Sequence, residues 1–255
     1  MSKSKHMVLV GVIVIMQRLR AVVAAAAIVA AAMLLGSCGM PQGTGDGGTN
    51  DGTASGGERW ASSLSELAQM RLDLYGEEMS GKQRAVVESV VESGEISAAD
   101  YESALSDYRQ CMLDLGYKEI VFVDVGKGLK VETVHQSGTA EQEMKYGEDR
   151  VACSALHSLD VETLYENQVG NVTLIKDQYD AVADCLKRDG LVDGSYTGKQ
   201  FKAELDEYHD TYSPDENPGA WPYSYAQDRE SDAVACKVAN GITETDGTWP
   251  REQLW

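Results

Sequence analysis

The chain has 255 residues, with 22 basic against 41 acidic residues and a formal net charge of −19 at pH 7. That balance excludes a nucleic-acid binder, which needs a basic face for phosphates. It also excludes a protein that lies on anionic lipid by its own surface charge.

The N-terminal region reads as an export signal. Arg18 and Arg20 precede a run of apolar and small residues over 21–35, which ends in Leu35-Gly36-Ser37-Cys38. A basic segment, an apolar segment and small residues before a cut make a secretory signal. The run is 15 residues long, shorter than the roughly 20 that a spanning helix needs. The cysteine after Leu-Gly-Ser resembles the lipobox of bacterial lipoproteins. That resemblance implies cleavage before Cys38 and a diacylglyceryl group, palmitate-like in length, on its thiol. Residues 1–37 are therefore expected to be a lipoprotein signal peptide. Residues 7–16 form a second short apolar run, and Met16 offers an alternative start followed by a compact basic segment.

Without residues 1–37, which carry four basic and no acidic residues, 18 basic residues face 41 acidic ones. The acidity serves solubility in the first instance, and attraction of cationic peptides or metal ions is the sharper alternative. Residues 38–58 hold the lipidated cysteine and a tether in which eight of residues 39–58 are glycine. Twenty such residues reach about 25 Å as a flexible coil. The remaining 59–255 form the expected extracytoplasmic domain.

In chain order, Leu64, Leu67, Leu72 and Leu74 suggest a first helix that ends at Gly76. Ser80-Gly81-Lys82-Gln83 has capping-box spacing, with Val86, Val87, Val90 and Val91 behind it and Gly94 as the stop. Ser97 caps a third helix whose stripe is Tyr101, Leu105, Tyr108, Met112 and Leu115. The corner between the second and third helices has the Gly-x-Ile look of an EF-hand loop. Val91 and Ser89 stand where that loop needs carboxylates, so a plain helical joint is expected.

Val121 to Val125 and Leu129 to His135 alternate as a hairpin around Gly126-Lys127-Gly128, with Lys130 and Glu132 on its outer face. Ser137-Gly138-Thr139 breaks it. A helix through Val151, Cys153, Leu156 and His157 follows, and Val161, Leu164 and Tyr165 continue after Asp160. The next helix is expected from about Asn171 to Arg188. Thr197-Gly198-Lys199-Gln200 caps another that carries Phe201, Leu205 and Tyr208. A proline-rich loop leads to a last helix from about Ala226 to Val238, and residues 241–255 read as a tail. The fold class is α+β: a helix-dominated single domain with a β-hairpin, stabilised by two disulfides and preceded by a signal peptide and flexible tether.

With Cys38 lipidated, Cys111, Cys153, Cys185 and Cys236 remain, an even number that reads as two disulfides in an exported chain. Three pairings are open. A short internal echo selects one: Cys111 and Cys185 each stand five residues before a glycine, and Val151-Ala152-Cys153 matches Val234-Ala235-Cys236. The echo predicts Cys111–Cys153 and Cys185–Cys236, each worth about 4 kcal/mol of loop entropy. No pair has CxxC spacing, so no metal site is assigned.

The capped helices, the run Gly94-Glu95-Ile96-Ser97 with Tyr101 after it, and the paired cysteines resemble exported lipoproteins of Gram-positive actinobacteria that carry no assigned activity. The resemblance covers about residues 80–190 and implies location rather than chemistry.

His135, His157 and His209 stand apart, and no P-loop, dinucleotide fingerprint or serine elbow is present. No catalytic residue and no cofactor is named. Trp221, Tyr223 and Tyr225 are candidate ligand-binding rings in the proline-rich loop; packing into the core is their alternative role, and the favoured one. The expected protein is a non-enzymatic binding or accessory module held at the extracytoplasmic face of the cell membrane by its lipid. An envelope or transporter protein is a candidate partner. The alternatives are a cell-wall hydrolase that uses carboxylates not identifiable from sequence, and a surface-masking protein.

Overall fold

The computed structural model describes residues 57–211, 221–244 and 248–255. The signal peptide, Cys38 and all but the last two tether residues lie outside them. The elements are α1 (Leu64–Tyr75), α2 (Gly81–Ser93), α3 (Ala98–Asp114), β1 (Phe122–Asp124), β2 (Lys130–Glu132), α4 (Ala140–His157), α5 (Leu159–Gly170), α6 (Gln178–Arg188), α7 (Gly198–Thr211) and α8 (Glu230–Val238). A 3₁₀ turn at Gln227–Arg229 leads into α8. This is a helix-dominated domain with one small antiparallel hairpin, in which Phe122 pairs with Glu132 and Asp124 with Lys130.

Most helix starts are written in the sequence as caps. The Ser63, Ser80 and Ser97 hydroxyls accept the N–H of Glu66, Gln83 and Asp100, each at 3.1 Å. Thr139 and Thr197 form reciprocal capping boxes with Gln142 and Gln200. Each cap satisfies a donor that the helix itself cannot. Ser97→Ala is expected to lower stability by about 1 kcal/mol in a denaturant titration. Gly94 closes α2 at φ 75°, a left-handed conformation that favours glycine. The α2–α3 joint is locked from α5: the Ile96 N–H donates to Gln168 Oε1, and Gln168 Nε2 donates to the Ile96 carbonyl, both at 2.8 Å.

Ser80-Gly81-Lys82-Gln83 is only half a capping box. Gln83 is 2% exposed and turns away from the cap. Its Nε2 donates to the Ala155 carbonyl at 2.9 Å, and its Oε1 accepts the Asp160 N–H at 3.0 Å. It bridges α2 to the α4–α5 junction. Gln83→Ala leaves two buried backbone groups unpaired and is expected to cost about 2 kcal/mol, read from the urea midpoint.

Three apolar clusters fill the domain. The largest joins α1, α2, α3 and α5 with Val125 and Leu129 of the hairpin turn and part of α8. The second joins α6, α7 and α8 with Tyr223 and Tyr225. The third packs Tyr108, Met112, Tyr117, Ile120, Tyr146, Cys153 and Leu254. The disulfides are Cys111–Cys153 and Cys185–Cys236, with Cα atoms 5.8 and 5.6 Å apart. Each ties two helices across one of the smaller clusters, α3 to α4 and α6 to α8, as the internal echo predicts.

Several boundaries differ from expectation. α4 begins at Ala140, eleven residues before the first residue assigned to it from sequence, and it buries Tyr146 and Cys153 while Val151 and Leu156 are exposed. α6 begins at Gln178 rather than Asn171, because the Asn171 side chain folds the chain back on itself. Its Oδ1 accepts the Ile175 N–H and its Nδ2 donates to the Ile175 carbonyl, both at 2.9 Å. Asp177 then caps α6 through the N–H groups of Tyr179 and Asp180. The C-terminal stretch does not hang free. His135 bridges to Glu252 in parallel, and Leu254 and Glu252 are 1% and 0% exposed.

Candidate functional site

A cleft of about 580 Å³ opens where β2, α4 and α5 meet the end of α8. Its walls carry Glu132 from β2, Tyr146 and Arg150 from α4, Glu162 and Glu166 from α5, and Tyr108 from α3. The hairpin sets Glu132. Lys130 and Glu132 were expected on an outward face, yet the hairpin lies against the helices and Glu132 turns inward, its side chain only 10% exposed.

Glu132 is the hub of one side of the cleft. Its two oxygens accept hydrogen bonds from the hydroxyls of Tyr108 at 2.6 Å and Tyr146 at 2.5 Å. The Arg150 guanidinium stands 3.6 Å away. Burial, then the Glu132 charge, push both phenols far above their usual range, so each remains a donor. Lys130 turns to Glu102 at 3.0 Å and its backbone pairs with the Tyr101 hydroxyl. Behind the hub, Glu252 is fully buried. Burial raises its pKa to about 7, against the Val121 N–H that donates to one of its oxygens.

The other side of the cleft is unlike this hydrogen-bonded hub. Glu162 and Glu166 stand one helical turn apart on α5, and neither has an ion-pair partner among the described residues. Glu166 also has no hydrogen-bond partner there. Burial, then the charge of Glu162, push the Glu166 carboxyl up to about 8, so it holds its proton at neutral pH. Burial raises Glu162 as well, with Glu132 adding to the effect. Val151 and Leu159, 68% and 44% exposed, form an apolar lip. Together these groups place the hydrogen-bonded Glu132 hub with Arg150 on one wall, two carboxyl groups without an ion pair among the described residues on the other, and apolar surface at the mouth.

The candidate rings of the proline-rich loop lie elsewhere. Tyr223 and Tyr225 are 4% and 1% exposed and stack with centroids 5.0 Å apart. Trp221 is half-buried, and its indole N–H donates to the Tyr225 carbonyl at 2.7 Å. The rings cover Lys237, 1% exposed, which pairs with Glu230 at 2.6 Å and with Glu244. Tyr225 donates to Glu230 and Tyr223 to Glu244. This geometry buries Tyr223 and Tyr225 in a core around a paired cation. Asp189 lies 3.2 Å from Cys236 Sγ, but both sulfurs there are already joined to each other. Cys38 lies outside the described residues.

Sequence reasoning did not single out Glu132, Arg150, Glu162 or Glu166. One signal was there for two of them. Glu162 and Glu166 are four apart on a stretch whose Val161, Leu164 and Tyr165 are all buried, so the acids must share whatever solvent that narrow helix face retains.

No family model matches the chain, and neither the curated proteins nor the solved structures contain a match to it.

Proposed function

We propose that this protein is a lipid-anchored extracytoplasmic binding module that holds a small polar ligand in the cleft between β2, α4 and α5. The observation that carries the reading is Glu166, a half-buried carboxyl that lines an open cleft and has no hydrogen-bond or ion-pair partner among the described residues. Buried polar groups are ordinarily satisfied. One left unmatched beside an open space of ligand size suits a partner that arrives from outside.

The anchor rests on Leu35-Gly36-Ser37-Cys38 and the glycine-rich tether that follows. Two disulfides support an oxidising compartment. Among the described residues no helix is long and apolar enough to cross a membrane. In cells fed labelled palmitate, the protein is expected to take up label and fractionate with membranes. Cys38→Ala is expected to lose both properties. Label retained by the variant would overturn the anchor.

The paired carboxyls of α5 favour one second reading, a hydrolase of cell-wall glycan with Glu166 as acid and Glu162 as base. Incubation of purified peptidoglycan with the protein separates the two. Release of soluble fragments by the wild type and not by Glu166→Gln would replace binding with hydrolysis; intact glycan supports the binding module.

A further inference from the structure

Charge bookkeeping inside the cleft narrows the ligand. Arg150 stands beside Glu132, and Lys130 goes to Glu102 at 3.0 Å. Each cation of the cleft wall is thus paired with an acid other than the α5 pair. Among the described residues Glu162 and Glu166 form no ion pair: the Ser158 hydroxyl and the charge of Arg150 ease Glu162 only in part, and Glu166 has Glu162 as its charged neighbour one turn away. An anion would meet both of them. A neutral ligand could hydrogen-bond to them but would leave the Glu162 charge without a counter-charge.

A divalent metal ion is also a poor fit. It needs several carboxylate oxygens drawn into one compact cage. Among the described residues, the cleft glutamates do not bring three ligand atoms within 4.8 Å of one another; the one trio that does so is Cys185, Asp189 and Cys236. Separated acceptors on one wall suit instead an ammonium group, whose three N–H donors point in different directions. The exposed Leu159 and Val151 and the buried Val238 line the same cleft, which suits a chain of methylenes behind the charge.

We propose that the cleft binds an alkylammonium group, the end of a diamine or the side chain of a lysine, with the cation seated between Glu162 and Glu166 and its methylenes along Leu159, Val151 and Val238. The inference rests on the binding reading above and assigns its ligand class.

A proton must move when the cation enters. Glu166 holds its proton at neutral pH under the influence of burial and Glu162. An ammonium ion beside it favours the carboxylate, so that proton passes to the buffer. The other titratable and charged groups of the cleft are Glu162 on α5, Glu132 and Lys130 on β2, Arg150 and Tyr146 on α4, and Tyr108 on α3. Of these, the two phenols keep their protons throughout this range; Glu162, raised by burial, and Glu252 behind the hub, at about 7, share the titration with Glu166, which the Glu166→Gln variant separates from them. Affinity therefore rises with pH up to the Glu166 midpoint and levels off above it.

The test is calorimetric titration of the full-length protein in detergent micelles between pH 6 and pH 9, in two buffers of different ionisation enthalpy. The probes are cadaverine, N-acetyl-lysine methylamide and, as the neutral control, a chitin tetrasaccharide. The expected result is amine binding that tightens about tenfold per pH unit from 6 to 8, with close to one proton released at pH 7. Glu166→Gln is expected to weaken binding at pH 8 by about tenfold or more and to abolish the pH dependence. Glu162→Gln, an independent variant, also weakens binding, and it moves the midpoint down because the like charge beside Glu166 is gone. Preference between the two amines distinguishes a free diamine from a lysine-bearing peptide. Amine binding that is indifferent to both glutamine variants would overturn the proposal. Binding of the tetrasaccharide with no binding of either amine would overturn the ammonium assignment and leave the binding module standing. No heat with any probe would count against both.

Discussion

Replacing Cys185 and Cys236 together by alanine is expected to lower the stability of the domain by about 4 kcal/mol. The bond closes a loop with a sequence separation of 51. Opening it returns about that much loop entropy to the unfolded chain. Both sulfurs sit at 0% exposure, between Val182 and Leu186 of α6 and Ala233 of α8, so the shorter side chains also leave unfilled volume. Cys111–Cys153 closes a loop of similar size, with a separation of 42, but Cys111 is only half-buried, and its removal is expected to cost somewhat less. Its loss acts on the site instead. It ties α3 to α4, the helices that bring Tyr108, Tyr146 and Arg150 to Glu132. Guanidinium unfolding of the wild type and the two double variants, with and without reductant, checks both statements. A wild-type midpoint unmoved by full reduction would contradict them.

Glu166→Gln is expected to stabilise the protein at alkaline pH while it damages binding. The sign follows from the direction of the shift. The carboxyl titrates at about 8 in the folded protein and at about 4.3 in an unfolded chain. Its contribution to stability is therefore fully present below about pH 4, declines as pH rises, and is lost once pH passes 8. Glutamine carries no such penalty. At pH 9 the variant should exceed the wild type by on the order of 3 kcal/mol, a figure reduced from the full shift because the side chain keeps some contact with water. In a domain of this size that is a rise in Tm of roughly 5–10 °C. At pH 4 the two proteins should melt together. Melting curves from pH 4 to pH 9 decide it, and a Tm difference that does not change with pH would contradict the burial of this carboxyl. A residue whose removal strengthens the fold and weakens binding is one retained for function rather than structure.

Much of the fold was legible because its signals are local. Ser80, Ser97 and Thr197 announce helix starts through their hydroxyls, and Gly94 announces a stop through its backbone. The stripe from Tyr101 to Met112 announces a buried face. The cysteine echo was legible too, since it needs only matched spacing. What failed to show were features that depend on distant partners. Gln83 looks like half of a capping box until Ala155 and Asp160 claim it. Asn171 looks like the first turn of a helix until its amide clasps Ile175. The tail at Glu252 and Leu254 looks free because the segment around His135 that receives it lies more than a hundred residues earlier.

The cleft was the least legible part, for the same reason. Glu132 alternates with Val131 in a charged hairpin, and its sequence neighbours place it in solvent. Only the packing of that hairpin against α3 and α4 brings the Tyr108 and Tyr146 hydroxyls to it. Trp221, Tyr223 and Tyr225 carried the opposite ambiguity. Rings in a proline-rich loop suit a surface platform or a core, and Tyr223 and Tyr225 lie buried beside Lys237.

The measurement that tests the central claim most directly is an NMR titration of the glutamate side-chain carboxyl carbons in the full-length protein, with Glu166→Gln as the assignment control. The account predicts that the Glu166 signal has its midpoint near pH 8 and that cadaverine lowers that midpoint by about two units or more. A Glu166 midpoint near that of an ordinary exposed glutamate, unmoved by the amine, would contradict it.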